Sequence, residues 1–158
     1  MMTDGPQPGD MAPDIEFESL EGGRGRIADY RGKPLVLYFY PKDDTTGCTR
    51  EAQDFTALAD AFAAVGAVVL GVSKDSVRKH RNFIDKHKLK VALASDPDGA
   101  LCEAYGTWVE KSMYGRKYMG IERATFLIDP AGRIARVWRK VKVAGHAEDV
   151  LEAVKALP

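Results

Sequence analysis

Cys48 is the residue of this chain with the clearest capacity for covalent chemistry. Apolar residues from Ala52 to Ala63 follow it at helical spacing, which predicts a helix with Cys48 in its first turn. The free N–H groups and positive dipole end of a helix favour a thiolate. The thiolate is the nucleophilic form of cysteine. The sequence therefore predicts a reactive thiol at this position.

Pro41 and Thr45 lie in a short loop that leads to Cys48. The loop follows residues 34–40 (PLVLYFY), a continuous apolar run typical of a strand buried on both faces. Ligand sites of open α/β sheets lie beyond the carboxyl ends of the strands, where this loop is expected. The Thr45 hydroxyl could donate to the sulfur or to a bound oxygen, and it could also cap the helix. Pro41 ends the strand and fixes the loop.

The spacing of Pro41, Thr45 and Cys48 resembles the signature of the peroxiredoxins, a proline, a threonine four residues later and a cysteine three after that. The surrounding sequence resembles the bacterioferritin comigratory, or peroxiredoxin Q, subgroup of this family. The segments that carry this resemblance are residues 9–13 (GDMAP), 38–42 (YFYPK), 47–51 (GCTRE), 110–115 (EKSMYG), 120–123 (GIER) and 125–129 (TFLID). The resemblance spans nearly the whole chain.

This resemblance implies a thiol peroxidase with a role in antioxidant defence and redox homeostasis. Cys48 would attack hydrogen peroxide or an organic hydroperoxide and become a sulfenic acid. In the family an arginine before a late strand reaches the reactive cysteine, and Arg123 stands at the matching position. A guanidinium there would stabilise the thiolate and polarise the peroxide. The expected reductant is thioredoxin, with glutaredoxin or a small thiol as alternatives, and no cofactor is implied.

The sequence identifies less clearly the thiol that would react with the sulfenic acid. The subgroup often carries a resolving cysteine five residues after the reactive one, where this chain has Gln53. A second family pattern places it in the next helix, and residues 76–88 contain none. Cys102 is the remaining internal candidate, but a cysteine in a short apolar helix is commonly buried for packing. We therefore favour a packing role for Cys102 and a single-cysteine cycle with an external thiol.

Three further residues near the predicted site have two interpretations each. Glu51 could orient Arg123, or it could only complement the positive first turn of the helix. Tyr40 and Trp108 could line a pocket for the alkyl tail of a hydroperoxide, or they could belong to the core. Residues 111–117 are rich in charge and predict an exposed loop, from which no partner follows.

Other functions are disfavoured because the sequence lacks the motifs that they require. A dithiol electron carrier normally needs a Cys-x-x-Cys motif, and a nucleotide site needs a Gly-rich loop between a strand and a helix. A Cys–His hydrolase could pair Cys48 with a distant histidine, but no hydrolase signature surrounds Cys48. His80, His87 and His146 are scattered and lack cysteine or acidic companions at metal-ligand spacing, so no metal site is predicted.

The rest of the chain predicts the scaffold that holds these residues. Residues 15–20 and 25–28 flank a turn and predict an N-terminal hairpin. Strand, helix and strand are expected at 68–72, 76–88 and 91–94, and a second hairpin over 125–138 precedes a closing helix. This order predicts an α/β, thioredoxin-like fold with a central mixed β-sheet flanked by helices.

Length and composition limit the class of protein. With 158 residues, 45% of them apolar, the chain suits one domain, predicted over residues 9–158 after a flexible N-terminus at 1–8. The 23 basic residues equal the 23 acidic ones, so no net field attracts nucleic acid or an anionic membrane. The sequence shows no signal peptide and no run of eighteen apolar residues. We expect a monomeric, cytoplasmic protein.

Overall fold

A seven-stranded mixed sheet forms the centre of the molecule. The structure is a computed structural model and describes residues 5–158. The strands of the chain are β1 (Glu16–Ser19), β2 (Arg24–Arg26), β3 (Leu35–Phe39), β4 (Val68–Ser73), β5 (Ala92–Ser95), β6 (Trp108–Met113), β7 (Arg116–Ile121), β8 (Ala124–Ile128) and β9 (Ile134–Trp138). Their order in the main sheet is β2-β1-β5-β4-β3-β8-β9, and β6 and β7 form a separate two-stranded sheet.

The middle of the sheet is parallel and its edges are antiparallel. β3 pairs with β4 and β4 with β5 in parallel register, whereas β8, β9, β1 and β2 pair antiparallel to their neighbours. All five residues of β3 and all five of β8 are buried, which explains why these strands are continuous apolar runs. The predicted mixed sheet and the N-terminal hairpin, β1 with β2, are confirmed.

The helices cover the sheet on both faces. They are α1 (Thr46–Ala57), α2 (Ala59–Ala64), α3 (Val77–His87), α4 (Ala100–Ala104) and α5 (His146–Lys155), with a short 3-10 helix at Ile27–Tyr30. One apolar cluster contains the buried side chains of α1, α2, α3 and α5. The other contains those of α4 and the 3-10 helix. The sheet separates the two clusters, because successive side chains of a strand point to opposite faces.

Two elements differ from the sequence prediction. The helical pattern after Cys48 forms two helices, because the backbone turns at Leu58, whose N–H donates to the carbonyl of Phe55 at 3.2 Å instead of continuing the α-helical pattern. The charged segment 111–117, predicted as a loop, lies in the β6–β7 hairpin. Tyr114 and Gly115 form its tip with φ of +52° and +78°, the positive values that a tight two-residue hairpin turn requires.

The N-terminal segment lies partly outside the described residues. Of the predicted flexible stretch at 1–8, residues 1–4 are not described, whereas Pro6 is buried. Gly5 has a φ of +75° and sits so close to the backbone carbonyl of Tyr105 that a side chain there would collide with it. The proposed domain limits stay a prediction. Within residues 5–158, none of the helices has the length and apolar character needed to cross a membrane.

Candidate active site

Cys48 lies in the first turn of α1, as the sequence predicted. Thr45 immediately precedes the helix with extended backbone, and its carbonyl accepts the first α-helical hydrogen bond from the N–H of Thr49 at 2.8 Å. The N–H groups of Thr46, Gly47 and Cys48 therefore precede the helical ladder and lie at its positive end. The side chain of Cys48 is almost completely buried, with 1% of its surface exposed.

The Arg123 guanidinium joins Cys48 to Glu51. Its Nη2 donates to the Cys48 Sγ at 3.3 Å, and its Nη1 donates to Glu51 Oε1 at 2.6 Å. Arg123 stands between the end of β7 and the start of β8, 75 residues along the chain from Cys48. Gly47 allows the close approach, because a Cβ at this position would lie 3.2 Å from Arg123 Nη2. The sequence analysis did not identify Gly47, although its place just before the cysteine was a usable signal.

Glu51 is a buried carboxylate with one satisfied oxygen. Its Oε1 accepts from Arg123, whereas its Oε2 has no hydrogen-bond partner among residues 5–158. Burial raises the pKa of Glu51 to about 7, although the positive charge of Arg123 lowers it in part. Of the two interpretations of Glu51 made from the sequence, contact with Arg123 is the one that the geometry shows.

Thr45 and Pro41 lie in the loop before α1, where the sequence placed them. The Thr45 hydroxyl donates to the carbonyl of Lys42 at 2.9 Å, and this bond closes the loop on itself. The predicted cap is wrong, since that hydroxyl forms no hydrogen bond to the amides of α1. Its oxygen can still accept a hydrogen bond. Pro41 and Thr45 are both exposed, whereas Cys48 itself is buried.

Tyr40 and Trp108 do not share a pocket, contrary to one of the two interpretations from the sequence. Tyr40 is buried in the cluster that contains Cys48, and its hydroxyl donates to Asp43 at 2.5 Å. Trp108 packs against the other cluster, on the opposite face of the sheet, with the Lys74 ammonium 4.1 Å from its ring centre. Tyr40 directly follows β3 of the main sheet, whereas Trp108 begins β6 of the separate two-stranded sheet.

Cys102 lies in α4 and is completely buried in the cluster opposite to that of Cys48. Burial raises the pKa of the Cys102 thiol, and the negative charge of Asp96 raises it further. Both cysteines are free thiols. A disulfide requires Cα atoms within about 7 Å. Because the central sheet separates the two clusters, a Cys48–Cys102 bond would require a large rearrangement.

The three histidines hydrogen-bond groups other than Cys48. Their partners are Tyr40, Asp43 and Ala94 for His80, Asp44 for His87, and Thr125 for His146. These assignments disfavour a Cys–His hydrolase, which needs a base in contact with the thiol.

His80 does have acidic companions, which the sequence spacing did not reveal. Asp43, Asp75 and His80 offer ligand atoms that all lie within 4.8 Å of one another. However, His80 Nδ1 is only 2.6 Å from Asp43 Oδ2, a direct hydrogen-bond distance. Two ligands of a tetrahedral ion with bonds of about 2.0 Å lie about 3.3 Å apart. The cluster as it stands is therefore a hydrogen-bond network.

The sequence and the fold of this chain match known proteins over most of its length. Residues 8–137 match the AhpC/TSA family, and the chain belongs to it. It is a peroxiredoxin, a thiol-dependent peroxidase. Among its relatives, Peroxiredoxin Bcp of Bacillus subtilis is 48% identical over 147 residues, which is 93% of this chain and 94% of the relative. Peroxiredoxin Bcp of Xanthomonas campestris is 52% identical over 139 residues, 87% of each chain.

Solved structures give the same result for the fold. Peroxiredoxin Q of Xanthomonas campestris superposes with a TM-score of 0.87 at 47% identity and covers 98% of each chain. A second structure, described as the bacterioferritin comigratory protein of the same organism with alkyl peroxide reduction activity, has a TM-score of 0.85 at 48% identity over 90% of each chain. The resemblance to the bacterioferritin comigratory and peroxiredoxin Q subgroup is thereby confirmed.

Proposed function

We propose that Cys48 is the peroxidatic nucleophile of a single-cysteine cycle that reduces hydrogen peroxide and organic hydroperoxides. The observation that carries this assignment is the hydrogen bond from Arg123 Nη2 to Cys48 Sγ at 3.3 Å. A buried cation bonded directly to the sulfur favours the thiolate. The free amides of the first turn of α1 act in the same direction.

The first step is displacement at oxygen. The Cys48 thiolate attacks one peroxide oxygen, the S–O bond forms and the O–O bond breaks, so that sulfur is oxidised and the peroxide is reduced. The departing oxygen takes a proton and leaves as water or an alcohol, and Cys48 becomes a sulfenic acid. Arg123 can donate to the peroxide oxygens as charge develops on them. Thr45 would orient the peroxide by accepting from its O–H, and Pro41 would hold the exposed side of the loop.

An external thiol then restores Cys48. It attacks the sulfenic sulfur, water leaves, and a mixed disulfide forms, which a second thiol reduces. The position of Cys102 behind the central sheet supports this route, as does the raised pKa of its thiol, which leaves little thiolate for attack. We propose thioredoxin as the reductant, with glutaredoxin and small thiols as alternatives. Cys102 then has a packing role.

Organic hydroperoxides are included in this proposal because of one structural comparison. A structurally similar relative is described as having alkyl peroxide reduction activity. The monomeric state and the cytoplasmic location also stay predictions from the sequence. Light scattering of the purified protein checks the first of these.

Mass spectrometry after a slight excess of hydrogen peroxide tests the cycle. The reduced protein is oxidised, its free thiols are blocked, and both cysteines are mapped without reduction. We expect oxygen or a sulfenic-acid trap on Cys48 and a blocked thiol at Cys102. A Cys48–Cys102 disulfide would make Cys102 the resolving residue, and an unmodified Cys48 would refute its peroxidatic role.

A further inference from the structure

His80 is completely buried in α3 and is bonded through both of its ring nitrogens. Nδ1 lies 2.6 Å from Oδ2 of Asp43, and Nε2 lies 2.9 Å from the carbonyl oxygen of Ala94 in β5. Both distances are those of direct hydrogen bonds. The imidazole therefore links the loop that contains Asp43 to the central sheet.

Asp43 is held at two further points. Its Oδ1 accepts from the Tyr40 hydroxyl at 2.5 Å, and its backbone N–H donates to Asp75 Oδ2 at 2.8 Å. The same oxygen of Asp75 accepts from the Ser73 hydroxyl at 2.7 Å, at the end of β4. Asp43 is thus connected to three neighbouring elements, and 8% of its surface is exposed although it lies in a loop.

The next residue strengthens the attachment of the loop to α3. Asp44 accepts from Lys86 and from His87, each at 2.7 Å, in the last turn of that helix. Its φ of +61° is unusual for a residue other than glycine, although aspartate tolerates it better than most. These are exposed contacts, which contribute little to stability. The buried Asp43–His80 pair is therefore the main anchor.

We propose that His80 is a positioning residue for the peroxidase reaction. By holding Asp43, it fixes the loop at residues 41–45, and with it the start of α1, so that Cys48 stays in reach of Arg123. Asp43 is five residues before Cys48, and Thr45, the last residue of the loop, directly precedes α1. A misplacement of about 1 Å can cost about a hundredfold in rate. This inference rests on the proposed function of Cys48.

Two substitutions at the same position separate positioning from simple packing. His80→Asn places an amide nitrogen where Nδ1 was and can keep the bond to Asp43. His80→Gln places it where Nε2 was and can keep only the bond to Ala94. Both remove the buried ring, so both are expected to lower Tm to a similar extent. Arg78→Ala, at an exposed position of α3, is the control for changes in the helix.

The measured quantity is the second-order rate of Cys48 oxidation by hydrogen peroxide. We expect His80→Asn to stay within about threefold of the wild type and His80→Gln to fall by about tenfold or more. Arg78→Ala should match the wild type. If the oxidation rate fell equally in both His80 variants, in proportion to the fall in Tm, His80 would have only a structural role. A wild-type rate in His80→Gln would overturn the proposal directly.

Hydrogen exchange distinguishes failure of this inference from failure of the proposed function. The amides of residues 42–49 can be followed without any peroxide. Faster exchange there in His80→Gln than in His80→Asn supports the anchor even if wild-type Cys48 proves unreactive, in which case only the function of Cys48 is refuted. Equal exchange in the two variants refutes the anchor.

Discussion

The Nη2 of Arg123 lies 3.3 Å from the sulfur of Cys48, while the Nη1 of the same guanidinium lies 2.6 Å from Glu51. The two bonds use two different nitrogens of one planar group, so the carboxylate fixes the direction in which the cation faces the sulfur. Arg123 is mostly buried, with 17% of its side chain exposed, so water screens this arrangement only weakly.

Replacement of Arg123 by lysine should slow the reaction of Cys48 with peroxide. Lysine keeps the charge but cannot bond Cys48 and Glu51 with two fixed donors. We expect Arg123→Lys to lower the second-order rate with hydrogen peroxide by at least about tenfold, measured by stopped-flow kinetics. Arg116→Lys, in the exposed part of the β6–β7 hairpin, is the matched control and should be unchanged. Similar rates for the two variants would contradict the role given to Arg123.

Glu51 should make stability depend on pH. Burial raises its pKa in the folded protein from the ordinary 4.5 to about 7, so the folded state holds a proton that the unfolded state loses. The free energy of unfolding should therefore fall as the pH rises from about 4.5 to about 7, by at most about 3 kcal/mol from this group. Glu51→Gln should remove this slope, as measured by urea unfolding at several pH values.

The control for that experiment is Glu152→Gln in α5. The Glu152 side chain is 73% exposed and pairs with Lys155 at the surface. Its removal should leave the pH dependence as in the wild type. A slope that survives in Glu51→Gln would show that another group causes it.

Gly47→Ala should separate activity from stability. A Cβ at this position would lie 3.2 Å from Arg123 Nη2, so the guanidinium must shift by a few tenths of an ångström. We expect the peroxide rate to fall by about threefold to tenfold. Alanine favours the helix by up to about 1 kcal/mol over glycine, so Tm should not fall. Gln53→Ala, at an exposed position of the same helix, should keep the wild-type rate. A wild-type rate in Gly47→Ala would show that the approach of Arg123 tolerates a methyl group.

Cys102→Ala should weaken the fold without stopping the cycle. The thiol is completely buried, and its removal leaves a small cavity at a cost of about 1 to 2 kcal/mol. With thioredoxin as reductant, peroxide consumption per molecule of folded protein should equal that of the wild type, whereas Cys48→Ser should consume none. If Cys102→Ala stopped after one turnover, Cys102 would be the resolving thiol.

The sequence around Cys48 was enough to predict the secondary structure in which this residue lies. The apolar run at residues 34–40 and the helical spacing after Cys48 were enough to predict a strand, a loop and a helix with the thiol in its first turn, as found. Such signals are local, because a buried strand and an amphipathic helix each leave a periodic pattern in the sequence. The β6–β7 hairpin left no such pattern, since most of its residues are exposed and neither face is continuously apolar.

The sequence by itself thus determined the family resemblance, the main elements and the reactive thiol, and the resemblance pointed to Arg123. Only the tertiary structure decided which distant side chains meet. It connected His80 to Asp43 across 37 residues, and it placed Trp108 and Cys102 behind the sheet, away from Cys48. The physical reason is that these contacts depend on strand order and on which face each side chain occupies, and both are set by packing between elements far apart in the chain.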